Sequence, residues 1–461
     1  MCPAACTSLR SASAFDYFGL LLALANLFFA SRIALTAAPL PSHAQRRITH
    51  LFGPDNVYPM DPLVSISIVL AVMVFCIYRR LNLGITVFIG LLLTSVLFGR
   101  AGMVISDAAH TIADPRTISL MLMIYLVFLL NNFLSDAGVM RDAITSFEEA
   151  VSDTRVVIAA VPMLIGLMPS PSGAVLSAPF TDHIGEKAGI SKERRFIINY
   201  WFRHISEYIN PVYPGIILAT TMLGISFYRL FAFNMPVMAF YAMAGIVFYL
   251  AGIEGNGGGG RKVSWSHVTA IAKGVVPILT AVILPVALKL DLSISLAAAI
   301  IVAFAMNPKP LGKDTLKLLK SSFRYDLIML VFLIMLFKNV LDASDATRLV
   351  SSSLIALGVP KLALLTAVPM VMGFLTGLTM GYVGLSFPII APFLESGGVV
   401  DMSLVTLSFV SGYVGVLLSP LHLCFSVTQK YFKADLRESY RLLLPPVALT
   451  FLWTLILTLV R

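Results

Sequence analysis

Residues 197–224 read I-I-N-Y-W-F-R-H-I-S-E-Y-I-N-P-V-Y-P-G-I-I-L-A-T-T-M-L-G. The stretch is long enough to cross a bilayer, yet Arg203, His204, Glu207, Asn210, Pro211 and Pro214 occupy its middle. A charge at bilayer depth costs about 2.5–3.5 kcal/mol on insertion scales. Each proline removes a backbone N–H, so a carbonyl one turn earlier loses its partner. A helix broken in this way survives at that depth only inside protein or beside a water-filled cavity. The stretch therefore predicts a polytopic all-α membrane protein, with the rest of the chain as its housing.

Composition agrees. The chain is 58% hydrophobic and only 12% charged, with a mean hydropathy of +0.88. Apolar runs of about 18–25 residues recur, each able to span a core of about 30 Å. The net charge of +9 does not point to nucleic acid, because Lys and Arg cluster in loops as the positive-inside rule requires. Cys2, Cys6, Cys76 and Cys424 have no paired or metal-site spacing, so neither a disulfide framework nor a metal site is expected.

Residues 1–59 differ from the rest. Phe18 to Ala30 is an apolar run that fits a signal peptide or an extra anchor helix, and a start at Met60 is a third option. Ten spans follow by hydropathy, near 62–79, 84–100, 117–135, 196–223, 228–252, 267–289, 291–307, 325–341, 402–427 and 441–460. Two further apolar stretches, 155–180 and 362–393, are cut by P-S-P-S-G at 169–173 and T-G-L-T-M-G at 376–381. Each is preceded by a segment that reads as a flat amphipathic helix, Asp136 to Asp153 and Asp342 to Leu357.

An internal repeat organises these parts. At a shift of 207 residues, Leu81-Asn82-Leu83 falls on Leu288-Lys289-Leu290, Asn132 on Asn339, Ala160-Val161-Pro162-Met163 on Ala367-Val368-Pro369-Met370, and Gly166 on Gly373. Farther on, Asn210-Pro211 falls on Ser419-Pro420 and Tyr228-Arg229-Leu230 on Tyr440-Arg441-Leu442. The expected organisation is an N-terminal extension (1–59), a first membrane repeat (60–252), a Gly-rich cytoplasmic linker (253–265) and a second, inverted repeat (266–461). If 155–180 and 362–393 are re-entrant hairpins, each half crosses five times, and an odd number inverts the second half. That topology puts Arg79-Arg80, the four basic residues of 182–195 and the lysines of 309–320 on the cytoplasmic side. The expected location is the inner (plasma) membrane, multi-pass.

Inverted halves with a flat helix, a hairpin and a Pro-broken span resemble the ion transporter superfamily, which includes gluconate permeases and citrate and dicarboxylate carriers. The stretch W-F-R-H-I-S-E-Y-I-N-P-V-Y-P-G-I-I-L-A at 201–219, with M-D-P-L at 60, is similar to an uncharacterised integral membrane family, domain of unknown function 401, distantly like gluconate permeases. The resemblance covers about 60–461 and implies a carrier fold. The sodium/dicarboxylate branch carries Ser-Asn-Thr at its hairpin tips. Here the tips read Ser170-Pro171-Ser172 and Thr376-Gly377-Leu378-Thr379, so neither sodium coupling nor a dicarboxylate is implied.

The residues themselves suggest where a ligand binds. Hairpin tips at mid-membrane offer backbone groups and helix N-termini that favour anions. Ser170, Ser172, Thr376 and Thr379 add hydroxyls, and Gly173 allows close approach, although small residues also serve tight helix packing. Asn210 and Ser419, each before a proline, mark unwound backbone, with Tyr213 and His422 matched beside them; a plain kink is the bland alternative. Arg203 and Glu207 stand i,i+4, so a structural pair that neutralises both is the bland reading, and Glu207 and Asn210 share a helix face with Arg203. The sharper expectation makes Glu207 a proton carrier, tuned or relayed by His204 or His422, with Arg203 beside it. Val416 stands where the second half matches Glu207.

The expected function is secondary transport of a small organic anion, such as a sugar acid or carboxylate, coupled to protons rather than sodium and using no cofactor. Its partners are that anion and the lipid bilayer, not nucleic acid, with a homodimer left open. The alternative is a membrane enzyme or assembly factor acting on a lipid-linked substrate. H-I-S-E at 204–207 lacks the second histidine of a zinc-protease motif, and no Walker loop is present.

Overall fold

Helix caps divide the chain. Asn82 caps α2 (Leu83–Leu97), Asp114 caps α4 (Pro115–Asp136), Asp153 caps α6 (Thr154–Ile165) and Ser191 caps α8 (Lys192–Arg203), each accepting from backbone N–H groups of the first turn. Asp291, Asp401 and Asp435 do the same for α12 (Leu292–Met306), α18 (Met402–Leu418) and α20 (Leu436–Val460). The other helices are α1 (Pro62–Tyr78), α3 (Val104–Ala113), α5 (Val139–Ala150), α7 (Gly173–Lys187), α9 (Pro214–Leu223), α10 (Phe227–Gly245), α11 (Trp265–Ala287), α13 (Lys313–Ser322), α14 (Tyr325–Ala343), α15 (Ala346–Ala356), α16 (Lys361–Thr376), α17 (Thr379–Ile390) and α19 (Leu423–Phe432). This computed structural model describes residues 60–169, 173–255, 263–308 and 313–461. The leader or anchor expected at 1–59, the tip serines and most of the Gly-rich linker lie outside them. Pro62–Arg461 is one compact unit, and its only strands among the described residues are a two-residue pair at Glu395–Ser396 and Val399–Val400.

The chain is an all-α membrane protein, and helices stand at each of the ten stretches expected to cross, but they differ in length. Five stretches are long and apolar enough to cross: α4, α10 with its π-helical continuation to Leu250, α11, Met402–Phe432 and α20. α1, α2 and α12 are apolar but only 17, 15 and 15 residues long. At 1.5 Å per residue a helix of that length covers about 22–26 Å, less than a core of about 30 Å. α14 leads into α15 through a bend of 66°. The expected span at 196–223 is two helices, α8 and α9, separated by a 3-10 turn at Ile205–Tyr208 and irregular backbone.

Helix bounds recur along the chain. α9 and α19 lie 209 residues apart at both ends, and each closes on a left-handed residue, Gly224 or Lys433. α2 and α12 also lie 209 residues apart, so the 207-residue register expected for them slips by two. α5 and α15 start 207 residues apart and share three buried positions, Val139, Ala143 and Ile144 against Ala346, Val350 and Ser351, while buried Met140 matches the half-buried Thr347.

Packing exchanges partners between the two sets. α2 packs on α14 and α12 on α4, while α9 packs on α17 and α19 on α7. Asn132 Nδ2 donates to Ser322 Oγ at 3.1 Å, and Asn339 Nδ2 to Thr111 Oγ1 at 2.9 Å. α18 runs through the centre: the most apolar window of its span is 83% buried, against 28% for α11 and α20 on the periphery. α16 lies against α18 at backbone distance, since a Cβ on Gly373 would overlap the Gly412 carbonyl and one on Gly415 the Met370 carbonyl.

Candidate functional site

The centre is built from two interrupted helices. α8 does not continue through Asn210, where Pro211 has no N–H for the Glu207 carbonyl and disfavours helical geometry. It ends at Arg203, with His204 as its C-cap, and the chain restarts at α9 with Pro214 in the first turn. α18 ends at Leu418 before Pro420, and α19 restarts at Leu423 with His422 as its N-cap. Beside them α6 ends at Ile165 and α7 begins at Gly173, and α16 and α17 break across 377–378.

The same hydrogen bonds tie each break to its neighbour. Asn210 Nδ2 donates to the Leu167 carbonyl at 2.9 Å, and Ser419 Oγ donates to the Phe374 carbonyl at 2.6 Å. Asn210 Oδ1 accepts from Val212 N at 3.0 Å, and Ser419 Oγ from Leu421 N at 3.1 Å. Tyr213 and Ser206 both donate to the Gly166 carbonyl, at 2.5 and 2.7 Å. These groups supply carbonyl partners that the prolines and gaps leave open.

Where the breaks meet, titratable groups gather in a buried cluster. His204 Nε2 lies 3.0 Å from His422 Nε2 and 3.7 Å from Glu207 Oε1. Thr379 Oγ1 donates to Glu207 Oε2 at 3.4 Å. His204, Glu207, His422 and Cys424 are all buried. The Tyr200 ring packs against His204 at a tilt of 56° with ring centres 4.6 Å apart, and the Tyr413 hydroxyl donates to the His204 carbonyl at 3.0 Å. A proton or a cation held here is shielded from bulk water by aromatic rings.

Some expected site residues come together and others do not. His204, Glu207, His422 and Thr379 form the cluster. Arg203 and Glu207 do not share a helix face, because α8 stops at Arg203; the ion-pair contact of Glu207 among the described residues is His204. The Arg203 guanidinium instead lies against Gly173 at the start of α7, where a Cβ would strike it. The Thr376 hydroxyl donates within its own helix, to the Met372 carbonyl at 2.8 Å. Ser170 and Ser172 lie outside the described residues. Val416, opposite Glu207 by sequence match, is fully buried and apolar.

Cys424 is the residue that sequence reading missed. Its Sγ and the ring nitrogens of His204 and His422 lie within 4.8 Å of one another. The His-x-Cys spacing at 422–424 was visible, but its partner stands 218 residues away.

A family model described as "Protein of unknown function (DUF401)" matches residues 61–461. No curated protein matches the chain.

Proposed function

The chain belongs to the DUF401 family of proteins of unknown function, and we propose that it is a secondary transporter of a small organic anion. In this reading residues 60–252 and 266–461 are inverted repeats. α6–α7 and α16–α17 are re-entrant pairs that enter and leave on one side. Ser170, Ser172, Gly173, Asn210, Tyr213, Thr376, Thr379 and Ser419 line or shape the anion site between them. Glu207, with His204, His422 and Arg203, is the coupling group. Imidazole and carboxylate suit a proton better than sodium, which seeks several oxygen ligands. Rocking of one part of each half against the other would expose the site to alternate sides.

One observation carries the reading: two interrupted helices about 209 residues apart in the chain meet at their breaks, and the Asn210–Leu167 and Ser419–Phe374 bonds anchor those breaks alike. Irregular backbone at membrane depth is tolerated where it is buried in protein or lines a cavity. Helix N-termini at Gly173 and Thr379, with the Arg203 guanidinium beside the first, suit a carboxylate.

The test has two stages. Purified protein is screened by thermal shift with sugar acids, carboxylates and inorganic anions across pH, with and without sodium. A hit at 100-fold over its Kd raises stability by about 2.7 kcal/mol. The hit is then assayed for uptake into proteoliposomes under a pH gradient, with Glu207→Gln alongside. PH-driven uptake that is lost in the variant supports the proposal, and equal uptake removes the coupling role of Glu207. A shift with lipid-like ligands and none with anions favours the lipid-linked enzyme or assembly factor.

A further inference from the structure

We infer that His204, His422 and Cys424 bind a divalent transition-metal ion of the zinc class, with Glu207 on its open side. The argument begins with the protons. His204 Nδ1 lies 2.5 Å from the Tyr200 carbonyl oxygen, and His422 Nδ1 lies 2.7 Å from the Gly377 carbonyl oxygen. A carbonyl only accepts, so both rings carry their hydrogen on Nδ1. Each neutral ring then presents a bare lone pair on Nε2. The two Nε2 atoms face each other at 3.0 Å. Lone pairs at that separation repel unless a cation lies between them.

A shared proton would use two of the three donor atoms, whereas a metal ion would use all three. Cys424 Sγ stands with both, all three atoms lying within 4.8 Å of one another, and Glu207 Oε1 is 3.7 Å from His204 Nε2. Two imidazoles, one thiolate and a nearby carboxylate make a donor set that zinc-class ions accept and that magnesium and calcium do not favour. Zn–N bonds of about 2.0–2.1 Å in a tetrahedron set the nitrogens about 3.3 Å apart, a small adjustment from what is seen. The outer shell fits as well. A metal-bound histidine characteristically donates its other ring N–H to a carbonyl or carboxylate, and both rings do so here. Gly377, whose φ is +62°, brings its backbone against the His422 amide, where a Cβ would collide, and so fixes one acceptor.

The ion would clamp the end of α8 to the start of α19. This inference does not rest on the transport reading, because such a clamp binds metal whether or not anything crosses the membrane.

The test uses the full chain in detergent, with its affinity tag removed and its metal stripped. Co2+ is titrated in first and Zn2+ second. The expected result is one ion per chain, with the visible bands of tetrahedral Co2+ and a near-ultraviolet sulfur-to-metal band. Cys424→Ser should abolish the sulfur band, and His422→Gln should weaken binding by at least about 10–100-fold, the loss typical even of outer-shell changes. A zinc-edge absorption spectrum of the unmutated protein should show one sulfur at about 2.3 Å and nitrogens at about 2.0–2.1 Å. It needs no variant to fold. No stoichiometric binding, or a shell without sulfur, overturns the inference and leaves a proton between the rings.

Discussion

The α-carbon of Gly166 lies so close to the Arg203 carbonyl that a Cβ would overlap the oxygen, and Gly373 meets Gly412 in the same way. Both neighbours are backbone and cannot swing aside. Gly166→Ala and Gly373→Ala should each cost at least about 1–3 kcal/mol, the usual range for overpacking. Melting curves of the detergent-purified variants check this. Gly102, with nothing within 4 Å of its would-be Cβ, is the control and should tolerate alanine. Equal melting temperatures for all three would show that α8 and α18 are not seated on these glycines.

Asn210 and Ser419 each join two backbone groups, so removing either side chain strands a carbonyl and an N–H. A buried group left unsatisfied costs about 1–3 kcal/mol. Asn210→Ala should therefore lower stability by that amount. Asn210→Ser should lose less, because a serine already does this work at 419. Identical losses in the two variants would mean that the side chain fills space and its hydrogen bonds contribute little.

Asp153 shows where acid should act. It caps α6 in an exposed connection, and hydrogen bonding to Arg155 holds its carboxyl down to about 2, from an ordinary 3.8. A depressed pKa means stability that is present above 3.8 and lost as pH falls through about 2. Asp153→Asn keeps a capping oxygen but loses the charge. Its melting temperature should lie below that of the unmutated protein near pH 7, and the two should converge between pH 4 and 2. A gap that stays constant down to pH 2 would assign the effect to something other than this ion pair.

Much of this fold was legible. Pro211 and Pro420 announced the two breaks, because a missing N–H interrupts any helix at any depth. Asn132 and Asn339 paired by sequence, and each donates to a hydroxyl on the helix preceding the other's. What stayed hidden depended on where chains end and meet. The i,i+4 spacing of Arg203 and Glu207 implied a pair only if α8 continued, and it stops at Arg203. Hydropathy placed α2 and α12 to within three residues, and a tight turn and a side-chain cap begin each after a left-handed residue, Arg80 or Lys289. Cys424 could not be joined to His204 by any local spacing, since only the crossing of α8 and α19 brings them together.

Thr376 and Thr379 looked equivalent as tip residues, and the structure separates them. Thr376 donates to its own helix at Met372, whereas Thr379 turns its hydroxyl to the Glu207 carboxylate. Both are half-buried, so neither substitution should cost much stability. Thr376→Val should lose less than about 1 kcal/mol and leave any anion-induced rise in melting temperature intact. Thr379→Val should be similarly stable but should lose most of that rise, because it removes a hydroxyl at the N-terminus of α17 beside the proposed anion site. The comparison uses the best anion from the thermal-shift screen, at a fixed concentration. A rise that survives in Thr379→Val and vanishes in Thr376→Val would move the ligand to the C-terminal end of α16, away from Glu207, and separate binding from the buried cluster.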